Sequence, residues 1–178
     1  MTVDVPSDPT GVLELALKNE QKTFELYEEA AEAAQSDLAR RTFEFLSGEE
    51  RRHIDQISKY YKATAESRDF TEVTPTHTAN DAKRQLASIF DRFQLDVVLT
   101  QFAKDQTMEA YQVGLEIEKS GHAYYTQAAK QANSEFARAF YTWLANEESA
   151  HYELLDQTYS FLQRPEGYLS EMERWMQI

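Results

Sequence analysis

Apolar residues recur every three to four positions through four long stretches of this chain, at about 10–34, 36–66, 96–132 and 134–163. This spacing is typical of amphipathic α-helices that turn one face towards a core. Asp8 followed by Pro9 predicts the start of the first helix, and Ser36 and Ser134 are the expected N-caps of the second and fourth. The short turns within each pair of helices indicate two antiparallel hairpins.

The segment between the hairpins, residues 67–95, is a long crossover that contains a shorter amphipathic stretch and is expected to carry its own short helix. Residues 164–178 follow the last helix and are expected to form a C-terminal tail. A chain of 178 residues with 42% hydrophobic residues, five Gly and four Pro fits one all-α domain over 1–178. The predicted fold is an antiparallel four-helix bundle.

The two hairpins are internal repeats, because adding 98 to a residue number in the first lands on a matching residue in the second. Between 17 and 53, 13 of 37 positions match without a gap. The matched pairs include Glu20 with Glu118, Tyr27 with Tyr125, Glu50 with Glu148 and His53 with His151. Two matching hairpins predict a bundle with pseudo-twofold symmetry.

Polar residues interrupt the apolar stripe of each predicted helix. The second and fourth helices each carry a Glu-x-x-His pair, whose members lie about 60° apart on one face. The first and third helices each carry a single glutamate in the same kind of position. The six residues are Glu20, Glu50, His53, Glu118, Glu148 and His151.

If the helices align, four carboxylates and two imidazoles meet in the core, where each uncompensated charge would cost several kcal/mol. Two divalent cations would neutralise the four negative charges. Carboxylate and imidazole ligands suit iron or manganese, and zinc can occupy the same ligands. We therefore predict a dinuclear centre with two iron ions as the cofactor and manganese or zinc as alternatives.

This ligand pattern is the arrangement found in ferritin-like di-iron and di-manganese proteins. The segments NEQKTFELY, GEERRH, EIEKSGHAYY and NEESAH carry it here, and with the closing RPEGYLSEMERW the sequence resembles the rubrerythrin branch of the ferritin-like superfamily. The resemblance implies that Glu50 and Glu148 bridge the metals, while the other four residues are terminal ligands. Gly121 departs from the resemblance, because an additional carboxylate would be expected there.

Further residues lie near the predicted centre. Tyr27 and Tyr125 stand two turns, about 10 Å, from the glutamate of their own helix, so we expect them to hydrogen-bond ligand carboxylates of other helices. His122 is either an extra ligand or proton donor, or a core histidine bonded to a neighbour. Glu49 and Glu147 are interpreted as solvated surface acids, with the alternative that they accept hydrogen bonds from ligand histidines.

Composition narrows the possible partners and compartment. A net charge of −13 argues against nucleic acid or membrane surfaces as partners. No apolar run approaches the roughly 18 residues of a membrane span, and the start MTVDVPSDPT does not resemble a signal peptide, so a cytoplasmic protein is expected. The absence of cysteine excludes disulfides, thiolate zinc sites and a rubredoxin-like iron centre within this chain.

The resemblance implies an oxidoreductase in which a reduced metal pair reacts with hydrogen peroxide or dioxygen, of the peroxidase or ferroxidase type. Because the chain has no cysteine-ligated centre, electrons are expected from a separate electron-transfer protein. Two alternatives remain open: an iron storage or transfer protein with ferroxidase activity, and a bundle that uses metal only to hold its fold. A homo-oligomer, with a dimer favoured, is expected.

Overall fold

The structure, a computed structural model, describes residues 4–66 and 106–164. Four helices occupy these residues, and no strand occurs among them. They are α1 (Pro9–Ala33), α2 (Asp37–Ala65), α3 (Gln106–Gln131) and α4 (Glu135–Gln163). The predicted helices are therefore confirmed within these ranges. The crossover at 67–95, the predicted start of the third helix and nearly all of the tail lie outside the described residues.

The starts of three helices are set by side chains that cap them. Asp8 accepts a hydrogen bond from the Gly11 amide at 2.7 Å, and Pro9 occupies the first helical position, where a missing N–H costs nothing. Ser134 caps α4 by accepting from Ala137 N at 3.0 Å, and Ser36 has the same relation to Ala39 N. These caps confirm the helix starts that the sequence predicts.

The helices pack as two hairpins laid against each other. α1 runs along α2 and α3 along α4, while α1 also contacts α3 and α2 contacts α4. With the short turns at 34–36 and 132–134, this is an all-α, ferritin-like four-helix bundle. Among its described helices, none is both long enough and apolar enough to cross a bilayer.

The core consists of two apolar clusters separated along the bundle. Cluster I contains the buried side chains of Leu13, Ile57, Tyr125, Tyr141 and Leu144 among others. Cluster II contains those of Tyr27, Phe43, Leu46, Tyr111 and Leu155 among others. Adding 98 to many first-hairpin residues of one cluster gives a residue of the other, as for Leu46 and Leu144. The pseudo-twofold axis therefore passes between the clusters, at the level of the Glu-x-x-His pairs.

The equivalence of the clusters can be tested with Leu46→Ala and Leu144→Ala, which truncate fully buried side chains. Each should cost about 2–5 kcal/mol and lower the melting temperature by roughly 5–15 °C. Circular-dichroism melts of the two variants measure the effect, with the exposed Glu29→Ala as the control. A large loss in one variant and none in the other would contradict the twofold arrangement of the core.

Candidate metal centre

All six residues of the predicted ligand set lie in the layer between the two apolar clusters. Each is buried, with at most 4% of its surface exposed. The side chains come from all four helices, two each from α2 and α4 and one each from α1 and α3. The residues brought together are Glu20, Glu50, His53, Glu118, Glu148 and His151.

The two histidines define two halves of this layer. His53 Nδ1 lies 3.3 Å from Glu20 Oε2, 3.2 Å from Glu50 Oε2 and 3.5 Å from Glu148 Oε1. The imidazole rings of the two histidines stack with centroids 5.2 Å apart. His53 therefore faces three carboxylates, each from a different helix.

The second half repeats the first in part, with two carboxylates near the histidine instead of three. His151 Nδ1 lies 3.1 Å from Glu50 Oε1 and 3.5 Å from Glu118 Oε2. Glu50 thus turns one oxygen towards each histidine, which is the geometry of a carboxylate shared by two ions. The bridging role of Glu50 that the resemblance implies fits this arrangement.

These separations suit ligands around common ions. Two ligand atoms each about 2.1 Å from one ion and about 90–110° apart lie roughly 3.0–3.4 Å from each other. Glu50, His53, Glu148 and His151 each offer one ligand atom, and these four atoms lie within 4.8 Å of one another.

Several carboxylate and imidazole atoms in the layer that could bind a metal have no hydrogen-bond partner although they are buried, which is rare for polar atoms in proteins. They are Glu50 Oε1, Glu118 Oε2, Glu148 Oε1 and His151 Nδ1. Unpaired lone pairs that converge are what a cation requires. The residues present therefore fit a pair of metal ions.

Two tyrosines hold the outer carboxylates in place across the bundle. Tyr27 of α1 donates a hydrogen bond to Glu118 Oε1 of α3, and Tyr125 of α3 donates one to Glu20 Oε1 of α1. The other oxygen of each glutamate, Oε2, is the one that faces a histidine. The sequence prediction for the tyrosines is confirmed, and each leaves one carboxylate oxygen directed at the centre.

A family model described as Rubrerythrin matches residues 11–113, which is more than half of the chain. The chain belongs to the rubrerythrin family. Neither a curated protein nor a solved structure gives a match. The matched range contains Glu20, Glu50 and His53 of this rubrerythrin-family chain. Its remaining three candidate ligands lie beyond residue 113 and are identified by the internal repeat.

Burial and mutual repulsion determine which acids of this rubrerythrin-family centre keep protons when no metal is bound. Burial, and then the charge of Glu50, raises the pKa of Glu20 to about 8. Burial and the charges of Glu20, Glu118 and Glu50 raise the pKa of Glu148 well above its usual value. Burial alone would raise the pKa of Glu50, but a hydrogen bond with Glu20 and the charge of His53 outweigh it and hold that pKa well below the usual range.

For the two histidines, burial and the neighbouring carboxylates shift the pKa in opposite directions, and the carboxylates prevail. Burial by itself lowers the pKa of His53, but the carboxylates of Glu50 and Glu20 outweigh it and raise that pKa to about 9. The pKa of His151 is likewise raised well above its usual value by Glu118 and Glu50. Without metal, the rubrerythrin-family centre is therefore held together by protons, which bound cations would displace.

The interpretation of Glu49 and Glu147 as solvated surface acids is wrong. Both are buried, at 4% and 2% exposure, where α2 meets α4. Glu49 forms a salt bridge with Arg52, and the charge of Glu147 also acts on that guanidinium, so one cation serves two buried acids. Their burial could have been predicted from the repeat, in which Glu49 matches Glu147, because surface acids have little reason to recur at equivalent positions.

The structure also corrects the place given to His122, which is exposed on α3 and is not part of the buried cluster. The buried stripe of α3 runs through Tyr111, Gly114, Glu118 and Tyr125, so its centre lies on the Gly121 side of Glu118. His122 falls about 40° to the other side. It is neither an additional ligand nor a core histidine.

Glu148→Gln separates metal binding from folding. Because burial and the neighbouring carboxylates raise the pKa of Glu148 well above its usual value, the neutral amide should change the apo melting temperature by no more than roughly 3 °C while removing a candidate carboxylate ligand. Elemental analysis should find clearly less metal than in the native protein, for which two ions per chain are expected. The exposed Glu153→Gln on the same helix is the matched control, and full metal content in Glu148→Gln would refute the assignment.

The stability of the metal-free protein should fall as pH rises from about 6.5 to about 9. The folded state keeps protons on Glu20 up to about pH 8 and on His53 up to about pH 9, whereas the ordinary pKa values are 4.5 and 6.5. Because the folded state binds more protons in this range, its free energy of unfolding decreases with pH. Each excess proton lowers the melting temperature by roughly 3–5 °C per pH unit.

Thermal melts in the presence of a chelator, at several pH values across that range, measure this dependence. Glu20→Gln should show a shallower slope because one of the titrating groups is gone. The lowered pKa of Glu50 acts in the opposite direction, but only below pH 4.5. A melting temperature that is constant or increases between pH 6.5 and 9 would contradict the protonation scheme.

Proposed function

We propose that this protein is a di-iron oxidoreductase that reduces peroxide, or reacts with dioxygen, and receives its electrons from a separate electron-transfer protein. The observation that carries the proposal is the paired donor set, in which Glu50 faces both histidines at 3.1–3.2 Å. Membership of the rubrerythrin family and the convergence of unpaired donors support two iron ions in this set. Bound there, an iron pair would supply two electrons to the oxidant.

The remaining side chains place and protect the reaction. Tyr27 and Tyr125 stay protonated because burial, and then the nearby carboxylates, raise their pKa values well above the ordinary value. They therefore remain hydrogen-bond donors and keep Glu118 and Glu20 from rotating. With Oε1 of each glutamate occupied by a tyrosine, only Oε2 would be free to hold a metal ion, and the bound pair would supply Lewis-acid and redox chemistry to an exogenous ligand.

Apolar side chains surround the candidate metal centre along the bundle axis. Clusters I and II close the layer at both ends with aromatic and aliphatic side chains, among them Tyr27, Phe43, Tyr125 and Tyr141. Excluding water in this way strengthens the attraction between the carboxylates and their cations. It also protects reactive oxidants from side reactions.

The proposal predicts rapid oxidation of the loaded protein by peroxide. Apo protein loaded anaerobically with two ferrous ions per chain and mixed with hydrogen peroxide should show a near-ultraviolet absorbance increase in stopped flow. Addition of dioxygen in place of peroxide ranks the two oxidants. The exposed variant Glu153→Gln should match the native trace, whereas Glu148→Gln should lose most of it. A flat trace from native protein that holds two iron ions would rule out the proposed reaction.

A further inference from the structure

A groove of about 720 Å³ lies between α1 and α3, on the outside of the metal-binding layer. Its two walls are built from residues that the 98-residue repeat relates to each other. The pairs are Leu15 with Val113, Asn19 with Ile117 and Thr23 with Gly121. The groove therefore straddles the pseudo-twofold axis, on the side of the bundle opposite Glu49 and Glu147.

Although its walls are related by symmetry, the groove reaches only half of the centre. It is lined by the candidate ligands Glu20 and Glu148 but not by their repeat mates Glu118 and Glu50. Residual exposure follows the same division, with 4% for Glu20 and 3% for Glu148 against 0% for each mate. One set of ligands thus borders the groove, and the equivalent set is sealed.

The difference between Thr23 and Gly121 accounts for this asymmetry. A Cβ atom on Gly121 would overlap Glu148 Oε2 and lie 3.0 Å from its carboxyl carbon, so the carboxyl rests directly against the α3 backbone. At the equivalent position, Thr23 has a buried side chain whose hydroxyl bonds Asn19 O at 3.1 Å. If the pseudo-twofold symmetry holds at this pair, the Thr23 side chain occupies on the Glu50 side the space that Gly121 leaves on the Glu148 side.

We infer that a small oxidant reaches the centre through the groove between α1 and α3, past Gly121, and binds the metal ion held by Glu20 and His53. His53 belongs to this half because its Nδ1 faces both Glu20 and Glu148. Gly121 and Thr23 together determine that one ion of the pair accepts an exogenous ligand and the other does not. This inference rests on the proposed function, since it requires two bound ions.

Azide binding to cobalt-loaded protein tests the inference without using turnover. Cobalt(II) accepts the same oxygen and nitrogen ligands, and its visible absorption changes when azide coordinates. Native protein with two cobalt ions should bind one azide per chain. Thr23→Gly should open the sealed half and raise the stoichiometry to two, and Thr23→Ala is the milder version if glycine loosens α1.

A blocking variant tests the route itself. Ile117 lines the groove one turn before Gly121, so Ile117→Trp should narrow the passage and weaken azide binding by at least about tenfold, with both cobalt ions retained. Ile117→Ala is its matched control, because it widens the same wall and should leave azide affinity at or above the native value.

The outcomes separate the inference from the function on which it rests. Native protein that takes up no cobalt overturns the metal centre, and the inference with it. Native protein that holds two cobalt ions but binds azide at both overturns the one-sided access alone. The same conclusion follows if Thr23→Gly and Ile117→Trp bind azide with native stoichiometry and affinity.

Discussion

The structure depends on the compensation of four carboxylates buried at one level of a helical bundle. Such groups are stable in a core only if protons or cations offset their mutual repulsion and lost hydration. Protons achieve this in part, as the raised pKa of Glu20 and the raised pKa of His53 indicate. Bound cations would achieve it more completely, because they would also satisfy buried carboxylate and imidazole atoms that have no hydrogen-bond partner. The apolar clusters on both sides can therefore pack fully only around a layer that binds something positive.

Pseudo-twofold symmetry explains how so short a sequence builds so ordered a layer. One hairpin supplies Glu20, Tyr27 and a Glu-x-x-His pair, and its repeat supplies the equivalents. Tyr27 reaches Glu118 while Tyr125 reaches Glu20, so each hairpin positions the carboxylate of the other. The layer is consequently complete only when both hairpins are docked, which couples assembly of the bundle to assembly of the site.

Much of the fold and of the candidate site could be predicted from the sequence. The wrong predictions concern His122 and the buried acid Glu49. The repeat and the interrupted apolar stripes identified all six residues that the structure buries in one layer, because a buried charge stands out against aliphatic neighbours. On α3, helical spacing from Glu118 favours His122 as an inward-facing residue, since glycine has no side chain that marks a face and Gly114 and Gly121 give no signal. Glu49 was misplaced for a related reason: its burial depends on Arg52 and on the packing of α2 against α4, which helical periodicity alone does not report.

Gly121 is also a position at which the twofold symmetry of the molecule is broken. The ligands, the tyrosines and the buried acids repeat with their chemistry intact, whereas Thr23 and Gly121 differ in whether a side chain exists at all. A symmetric ligand set alone would give two equivalent ions. Because a single missing side chain leaves Glu148 in contact with the groove while Glu50 stays covered, the two proposed ions would differ in access although their ligands are alike. Metal binding would thus follow from the residues that the halves share, and one-sided access from Thr23 and Gly121, one of the pairs at which the halves differ.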